Sequence, residues 1–390
     1  MSDFKDWPKE ACLAPLTSYL VGTSGKYRPC CWYTEKLDPN HVRAAEQMLT
    51  LQEYREQILF PMYEEMKKGK YPDACKRCAL PGFKRSQNYE RFRPDVEQIE
   101  KTKEVRYIDL RFSNLCNLGC VMCNTGSSNQ FHKQADQGKY MPESVYWMGP
   151  PTRRSKHYTW TANKKVMTEL YKHLETATHI YITGGEPSIN PDVIKMMEYC
   201  RDKGFNNRIK LEFNTNCTNA NDKFVDLLHS FTTQVMFSID AVGELGEAVR
   251  YPSKWDYVQK AVWEMISRGG PRAKFTWAPS IHVYNFFKLH ELVAYFKKIE
   301  KQWLDKDINT NWNVIFQPYY QNVNNIPKDL FEEYIHKHRA ELGSSLITKL
   351  RQKKHGLGNE NMDWEKTLEI GRKWFTSRGY DPKLTGIPGI

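Results

Sequence analysis

No stretch of this chain is apolar for long enough to cross a bilayer, which takes about twenty consecutive apolar residues. Met1 to Ala11 is polar and charged. No secretory apolar region is therefore expected there, and the expected location is the cytoplasm. The chain also lacks internal repeats and low-complexity tracts, which excludes solenoids and long disordered linkers. Ten cysteines in 390 residues is too few for a disulfide scaffold. Acidic residues are outnumbered, 46 against 57 basic, for a formal charge of +11. The excess is spread along the chain, so a solvated basic surface is the simpler reading and an acidic partner the sharper one. The densest basic run, Lys349 to His355, reads as an exposed helix end. What remains is 40% hydrophobic and 13% aromatic, a globular composition long enough for two domains.

The cysteines that are present are clustered as C-C, C-x2-C and C-x3-C-x2-C, which reads as metal ligation in a reducing compartment. Cys116, Cys120 and Cys123 directly follow the apolar-rich stretch 105–112. This spacing supplies three thiolates and not four. A structural zinc site closes with four ligands, whereas three thiolates on a four-cornered iron-sulfur cube leave one iron open to a non-protein ligand. Further on, the chain reads Thr183-Gly184-Gly185-Glu186-Pro187 after a short apolar run. Two glycines let backbone approach a ligand closely, and a carboxylate held at such a turn can take a ligand ammonium.

From about residue 105 onward, strand-like runs alternate with amphipathic stretches. Strands are expected at 105–112, 179–183, 208–213, 234–239, 274–281 and 312–317. Apolar stripes between them, such as Val166/Met167/Leu170/Leu174 and Leu289/Leu292/Val293/Phe296, predict one helix per connection. Six such units imply a parallel α/β sheet closing into an incomplete (β/α)6 TIM-like barrel, with chemistry at the carboxyl ends of the strands. A long helix is expected over residues 40–70. Residues 325–390 read as a helical C-terminal extension with a mobile Gly/Pro-rich tail. The stretch 124–160, with Tyr140, Trp147, Trp160, Gly149-Pro150-Pro151 and Arg153-Arg154, reads as a long insertion before the first crossover helix.

The two motifs, in this order, resemble those of the radical S-adenosylmethionine superfamily over roughly residues 105–320. The resemblance implies that Cys116, Cys120 and Cys123 hold a catalytic 4Fe-4S cluster and that S-adenosylmethionine binds its fourth iron. It further implies that reductive cleavage yields a 5′-deoxyadenosyl radical that takes a hydrogen atom from a substrate. By the same resemblance, Met122 lies near the adenine, and Gly184, Gly185 and Glu186 bind the cofactor's amino group. Ser238 and Asp240 contact its ribose and carboxylate, pointing to one side of a strand. Thr215 and Asn216 match part of a Thr-Asn-Gly motif in which Cys217 here replaces the glycine. Arg250 is similar to an arginine that pairs with the cofactor carboxylate, and Asn285 to a polar strand-end residue.

Cys12, Cys30, Cys75 and Cys78 make a plausible four-thiolate site, with Cys31 an alternative to Cys30. Such a set resembles the twitch or SPASM module that holds an auxiliary 4Fe-4S cluster in relatives; zinc suits four thiolates equally well. The resulting domains are 1–98, the cysteine-rich auxiliary module; 99–324, the partial barrel; and 325–390, the helical extension and tail. The implied partners are a small electron donor such as flavodoxin or ferredoxin and a peptide or anionic substrate. A sugar, polyol or nucleotide is the alternative substrate. A non-catalytic zinc or iron-sulfur nucleic-acid binder is the alternative of another class, and no membrane partner is expected.

Overall fold

The computed structural model describes residues 10–40, 42–44, 49–79, 87–146, 159–302, 308–354 and 362–390. Trp147, Gly149-Pro150-Pro151 and Arg153-Arg154 of the expected insertion, and His355 of the basic run, lie outside these residues. No helix among the described residues is long and apolar enough to cross a membrane.

The strands are β1 (Ser18–Val21), β2 (Lys26–Arg28), β3 (Arg43–Ala44), β4 (Tyr107–Leu110), β5 (His179–Ile182), β6 (Lys210–Thr215), β7 (Thr232–Phe237), β8 (Ala273–Trp277), β9 (Ser280–Ile281), β10 (Asn309–Thr310) and β11 (Asn313–Val314). Nine of them form one sheet in the order β10-β8-β7-β6-β5-β4-β1-β2-β3. Five of the six expected strands thus appear in this sheet in chain order, as an α/β fold of sequential βα units requires; its last parallel member is β10, just before the run expected at 312–317, which appears as β11 in a separate pair. The pairs β4–β5, β5–β6 and β8–β10 are parallel. One expected strand comes out broken. The run expected at 274–281 stops at Trp277 and resumes at Ser280, because Pro279 has no N–H to give a ladder. β9 and β11 then pair separately, Asn313 with Ser280 and Val314 with Ile281.

Sequence patterning missed β1. It joins the parallel part of the sheet beside β4, Ser18 opposite Tyr107 and Val21 opposite Leu110. The helix expected over 40–70 begins only at Leu51 and runs in three segments to Lys67. Thr50 stops it earlier: its hydroxyl accepts from Glu53 N while the Glu53 carboxylate accepts from Thr50 N, a capping box.

Contacts divide the chain into two units. The first comprises Met1–Asn114, His157–Phe213 and Asp226–Thr233; the second, Leu115–Lys156, Asn214–Val225 and Gln234–Ile390. In the first unit, burial alternates along β5 and β6: Ile180, Ile182, Leu211 and Phe213 are buried, while His179, Tyr181, Lys210 and Glu212 are part-exposed. Helix Lys164–His173 starts at an Asn163 cap and buries Val166, Leu170 and His173, close to the stripe the sequence predicted. A separate apolar cluster gathers Leu13, Leu16, Tyr63, Tyr89, Ile99 and Tyr107, with Cys12, Cys30, Cys75 and Tyr181 packed against it.

In the second unit, helix Leu289–Gln302 buries Leu289, Leu292, Val293 and Phe296, the predicted stripe, and Phe296 stacks on Trp277 at 4.4 Å. The C-terminal region is helical over Lys328–Lys337, Arg339–Lys354 and Trp364–Ser377. The tail expected to be mobile is packed down. Ile387 is 5% exposed, and Arg372 donates to Gly389 O at 2.7 Å.

Candidate active site

The loop 115–123 belongs to the second unit. Its three cysteines are free thiols, and Cys120 is buried. Hydrogen-bond donors already aim at the sulfurs: Leu118 N–H lies 3.4 Å from Cys116 Sγ, Asn216 Nδ2 4.0 Å from the same sulfur, and Arg250 Nη1 3.8 Å from Cys120 Sγ. Burial pushes the Cys120 thiol up to about 12, and the Arg250 guanidinium pulls it the other way. Thiolates that ligate a cluster are deprotonated and accept such bonds, so three sulfurs on one loop, successive ones four and three residues apart, fit a cluster ligated through three corners.

The loop backbone is pinned from several sides. Gly119 N donates to Tyr251 O and Val121 N to Val249 O, both at 2.8 Å. Val121 O accepts from Tyr320 Oη at 2.9 Å and also from Gln321 Nε2. Gly119 has no room for a side chain, since a Cβ there would lie 2.2 Å from Gln134 Nε2. Gln134 is in turn gripped by Arg378, whose Nη2 donates to Gln134 Oε1 at 2.6 Å from 244 residues away. Met122, beside these contacts, is part-exposed.

Asp240 and Arg250 form a buried ion pair at 2.7 Å, with side-chain exposures of 0% and 14%. Burial works against the Arg250 charge, but Asp240 and the Cys120 sulfur outweigh it and raise its pKa. Asp240 Oδ1 also accepts Ser280 N at 2.7 Å, and Asn285 Nδ2 donates to Asp240 O and Ser280 O, both at 2.8 Å. Asn285 is therefore an internal brace of this strand end. β7 ends at Phe237, and Ile239 N donates back to Phe237 O at 3.1 Å. Ser238 and Asp240 thus lie past the strand in a tight turn, where strand alternation no longer assigns their sides. Thr215 is buried at the end of β6, and its O accepts Ser238 N at 2.9 Å. Asn216 Nδ2 donates to Asn117 Oδ1 at 2.9 Å, tying that strand end to the cysteine loop. Cys217 stands with φ 59°, the left-handed conformation that favours the glycine it replaces. So the second unit brings together Cys116, Cys120, Cys123, Asn216, Asp240 and Arg250.

In the first unit, Gly184 and Gly185 both have positive φ, 81° and 62°. Glu186 is 1% exposed, and its Oε1 accepts Ser188 N at 3.1 Å. A Cβ on Gly184 would sit 2.8 Å from Arg111 Cβ and 2.9 Å from Thr23 Cγ2. Gly184→Ala is therefore expected to destabilise the protein by roughly 2–4 kcal/mol, combining left-handed strain with overpacking. Urea unfolding of the variant checks this; a loss below about 0.5 kcal/mol would contradict it.

The same unit holds the N-terminal cysteines. Burial raises the Cys30 thiol's pKa, and Cys12, Cys75 and Cys31 raise it further. Burial also raises Cys31, which is exposed as a residue but couples to Asp109 and hydrogen-bonds Tyr89. Cys12, Cys30 and Cys75 pack against the same apolar cluster, and Cys31 is the exposed member of the adjacent pair. Cys78 lies one turn from Cys75 in the 3-10 segment Asp73–Ala79. Among the described residues, no three or more His, Cys, Asp or Glu side chains close to the spacing of one metal ion's ligands.

Sequence reasoning missed Gln134, Arg378, Tyr320 and Gln321. None lies in a motif, and their roles arise from contacts across long chain separations, which no local spacing encodes.

An α/β chain of sequential βα units with a three-thiol loop beyond its first expected strand is the class that fold and site define. Residues 110–283, a little under half of the chain, match the model of the Radical SAM superfamily. An uncharacterized protein of Methanocaldococcus jannaschii is 25% identical over 147 residues, 37% of this chain and 42% of that protein. Among solved structures, anSMEcpe with bound AdoMet and a Cp18Cys peptide matches 56% of this chain and 52% of its own, at 16% identity and a TM-score of 0.38. Streptococcus suis SuiB matches 67% and 62%, at 13% identity and a TM-score of 0.30. The chain thus spans less than two thirds of each of these proteins.

Proposed function

We propose that this chain reductively cleaves S-adenosylmethionine and abstracts a hydrogen atom from a peptide or protein side chain. The observation that carries the reading is the three-thiol loop with N–H donors aimed at its sulfurs. A 4Fe-4S cluster held by Cys116, Cys120 and Cys123 would supply the electron for cleavage. Around it, Arg250 holds positive charge beside Cys120, which favours the thiolate. Asp240 keeps Arg250 in place, Ser238 and Met122 are the groups that the resemblance puts at the ribose and the adenine, and Thr215 and Asn216 belong to the cofactor-binding set without a stated contact. Gly184 and Gly185 keep the backbone open for close approach, and the Glu186 carboxylate would take the cofactor's ammonium. The chain's remaining task is to position the reacting carbon and exclude water.

An auxiliary cluster on Cys12, Cys30, Cys75 and Cys78 is part of this proposal. Its support is that Cys12, Cys30 and Cys75 pack against one apolar cluster. A fully ligated cluster there would accept the electron left on a substrate radical; zinc in its place would only brace the segment. A flavodoxin- or ferredoxin-like donor and a cytoplasmic setting complete the proposal.

The test is anaerobic incubation of iron- and sulfide-reconstituted protein with reductant, S-adenosylmethionine and deuterated peptide pools. Deuterium appearing in 5′-deoxyadenosine from peptides is the expected result. Transfer from labelled sugars, polyols or nucleotides instead would replace the substrate class. No 5′-deoxyadenosine at all would sink the radical reading.

A further inference from the structure

On the part-exposed face of the first unit's strands lies a carboxylate that none of the chemistry above uses. Asp109, in the middle of β4, is 1% exposed. Neither of its oxygens accepts a hydrogen bond among the described residues. Arg111 Nε stands 3.9 Å from Oδ1, beyond hydrogen-bond reach. Arg28, the other cation that Asp109 feels, is paired with Glu35 at 3.2 Å. A buried carboxylate left in this state is costly unless something brings it donors.

Tyrosines and a second, already paired carboxylate surround it. Register places Tyr181 of β5 directly opposite Asp109, and Glu212 of β6 opposite Tyr181. Tyr107 lies two residues before Asp109 on the same face of β4, and Tyr89 packs edge-on against it at 5.6 Å. The tyrosines Tyr89, Tyr107 and Tyr181 all feel the Asp109 charge. Glu212 is already met by Lys210 Nζ at 2.8 Å, so the carboxylate open to a further cation is that of Asp109: an ammonium brings three donors to its two empty oxygens, among three tyrosine side chains. The face is not sealed, because Tyr181 and Glu212 are part-exposed and Arg111 keeps 34% of its side-chain surface.

We propose that Asp109 is the anchor of a binding site for a primary ammonium group of the substrate, flanked by Tyr89, Tyr107, Tyr181 and Glu212. This deepens the proposed function, on which its link to a substrate rests. The shared chemistry is the alkylammonium, borne by a lysine side chain or by a free polyamine. Asp109 is a binding residue built at a cost to stability. Burial raises its pKa to about 6, against the pull of Arg111 and Arg28. A raised folded pKa means that the stabilising, protonated form is present at low pH and lost as pH rises through about 6. Near pH 7.5 the ionised carboxylate therefore costs stability until a cation meets it.

The experiment measures the thermal midpoint of the reconstituted full chain near pH 7.5 while titrating N-acetyl-lysine methylamide, 1,4-diaminobutane and the uncharged norleucine analogue. A saturable rise with either amine and none with norleucine is expected. The capped lysine binding better points to a peptide side chain, and the diamine binding better points to a polyamine. Asp109→Asn should weaken amine binding at least tenfold, while its own unliganded midpoint equals or exceeds that of the wild type. An unliganded midpoint well below wild type would make Asp109 a structural residue and overturn the proposal. So would amine binding unchanged in Asp109→Asn, or no difference between lysine and norleucine. Parallel 5′-deoxyadenosine measurements on the wild type separate the two readings: cleavage without amine binding overturns this site alone, and amine binding without cleavage overturns the radical reading.

Discussion

Changing Cys116, Cys120 and Cys123 together to alanine should lower iron by about four atoms per chain and reduce 5′-deoxyadenosine formation to background. None of the three is in a disulfide, and the loop that carries them is also held by backbone and side-chain bonds that do not involve the sulfurs. The fold should therefore survive, and the thermal midpoint checks that it does. The companion variant, with Cys12, Cys30, Cys75 and Cys78 changed to alanine, reads the second site. If that site holds a 4Fe-4S cluster, the wild type carries about eight irons, and each variant keeps about four. Zinc at the N-terminal set would leave the iron count at about four in the companion variant and the wild type alike. Iron retained in full by the triple variant would refute the assignment of the loop.

Arg250→Ala should be the most damaging single substitution in the second unit. It would leave the Asp240 carboxylate, 0% exposed, without its cation. Breaking a buried pair in this way costs about 3–5 kcal/mol, far above the value of a surface bridge. Replacing both partners with apolar or neutral groups, as in Asp240→Asn with Arg250→Met, should cost markedly less, since no uncompensated charge is left. A double-mutant cycle on the unfolding free energy measures the difference. Equal losses for the single and double variants would show that the pair does not act as a unit. Arg250→Ala should also weaken iron retention, because Arg250 Nη1 no longer lies 3.8 Å from Cys120 Sγ to offset the burial that raises that thiol.

What could be read in advance follows from how local each feature is. The Cys116–Cys123 spacing is a covalent property of eight residues, so the loop's three thiols were visible without any fold. The stripe Leu289/Leu292/Val293/Phe296 was visible for a similar reason, since a helix repeats its face every three to four residues. Elsewhere a local signal existed but was overlooked. Thr50-Leu51-Gln52-Glu53 is a capping box, and it starts the helix about ten residues later than apolar content alone suggested. Pro279 likewise announced the break between β8 and β9.

The sequence by itself determined that this chain alternates strands with amphipathic helices, that it carries three thiols on one short loop, and that two glycines precede Glu186. Those features depend on neighbours a few residues apart. Only the tertiary structure decided that Arg378 would grip Gln134 under Gly119, and that Ser18–Val21 would extend the sheet beside β4. It alone packed Cys12, Cys30 and Cys75 against one apolar cluster, and left Asp109 buried with empty oxygens among tyrosines. Those outcomes are set by which distant segments share a surface. Burial and hydrogen-bond satisfaction are properties of that shared surface, not of the chain's local order.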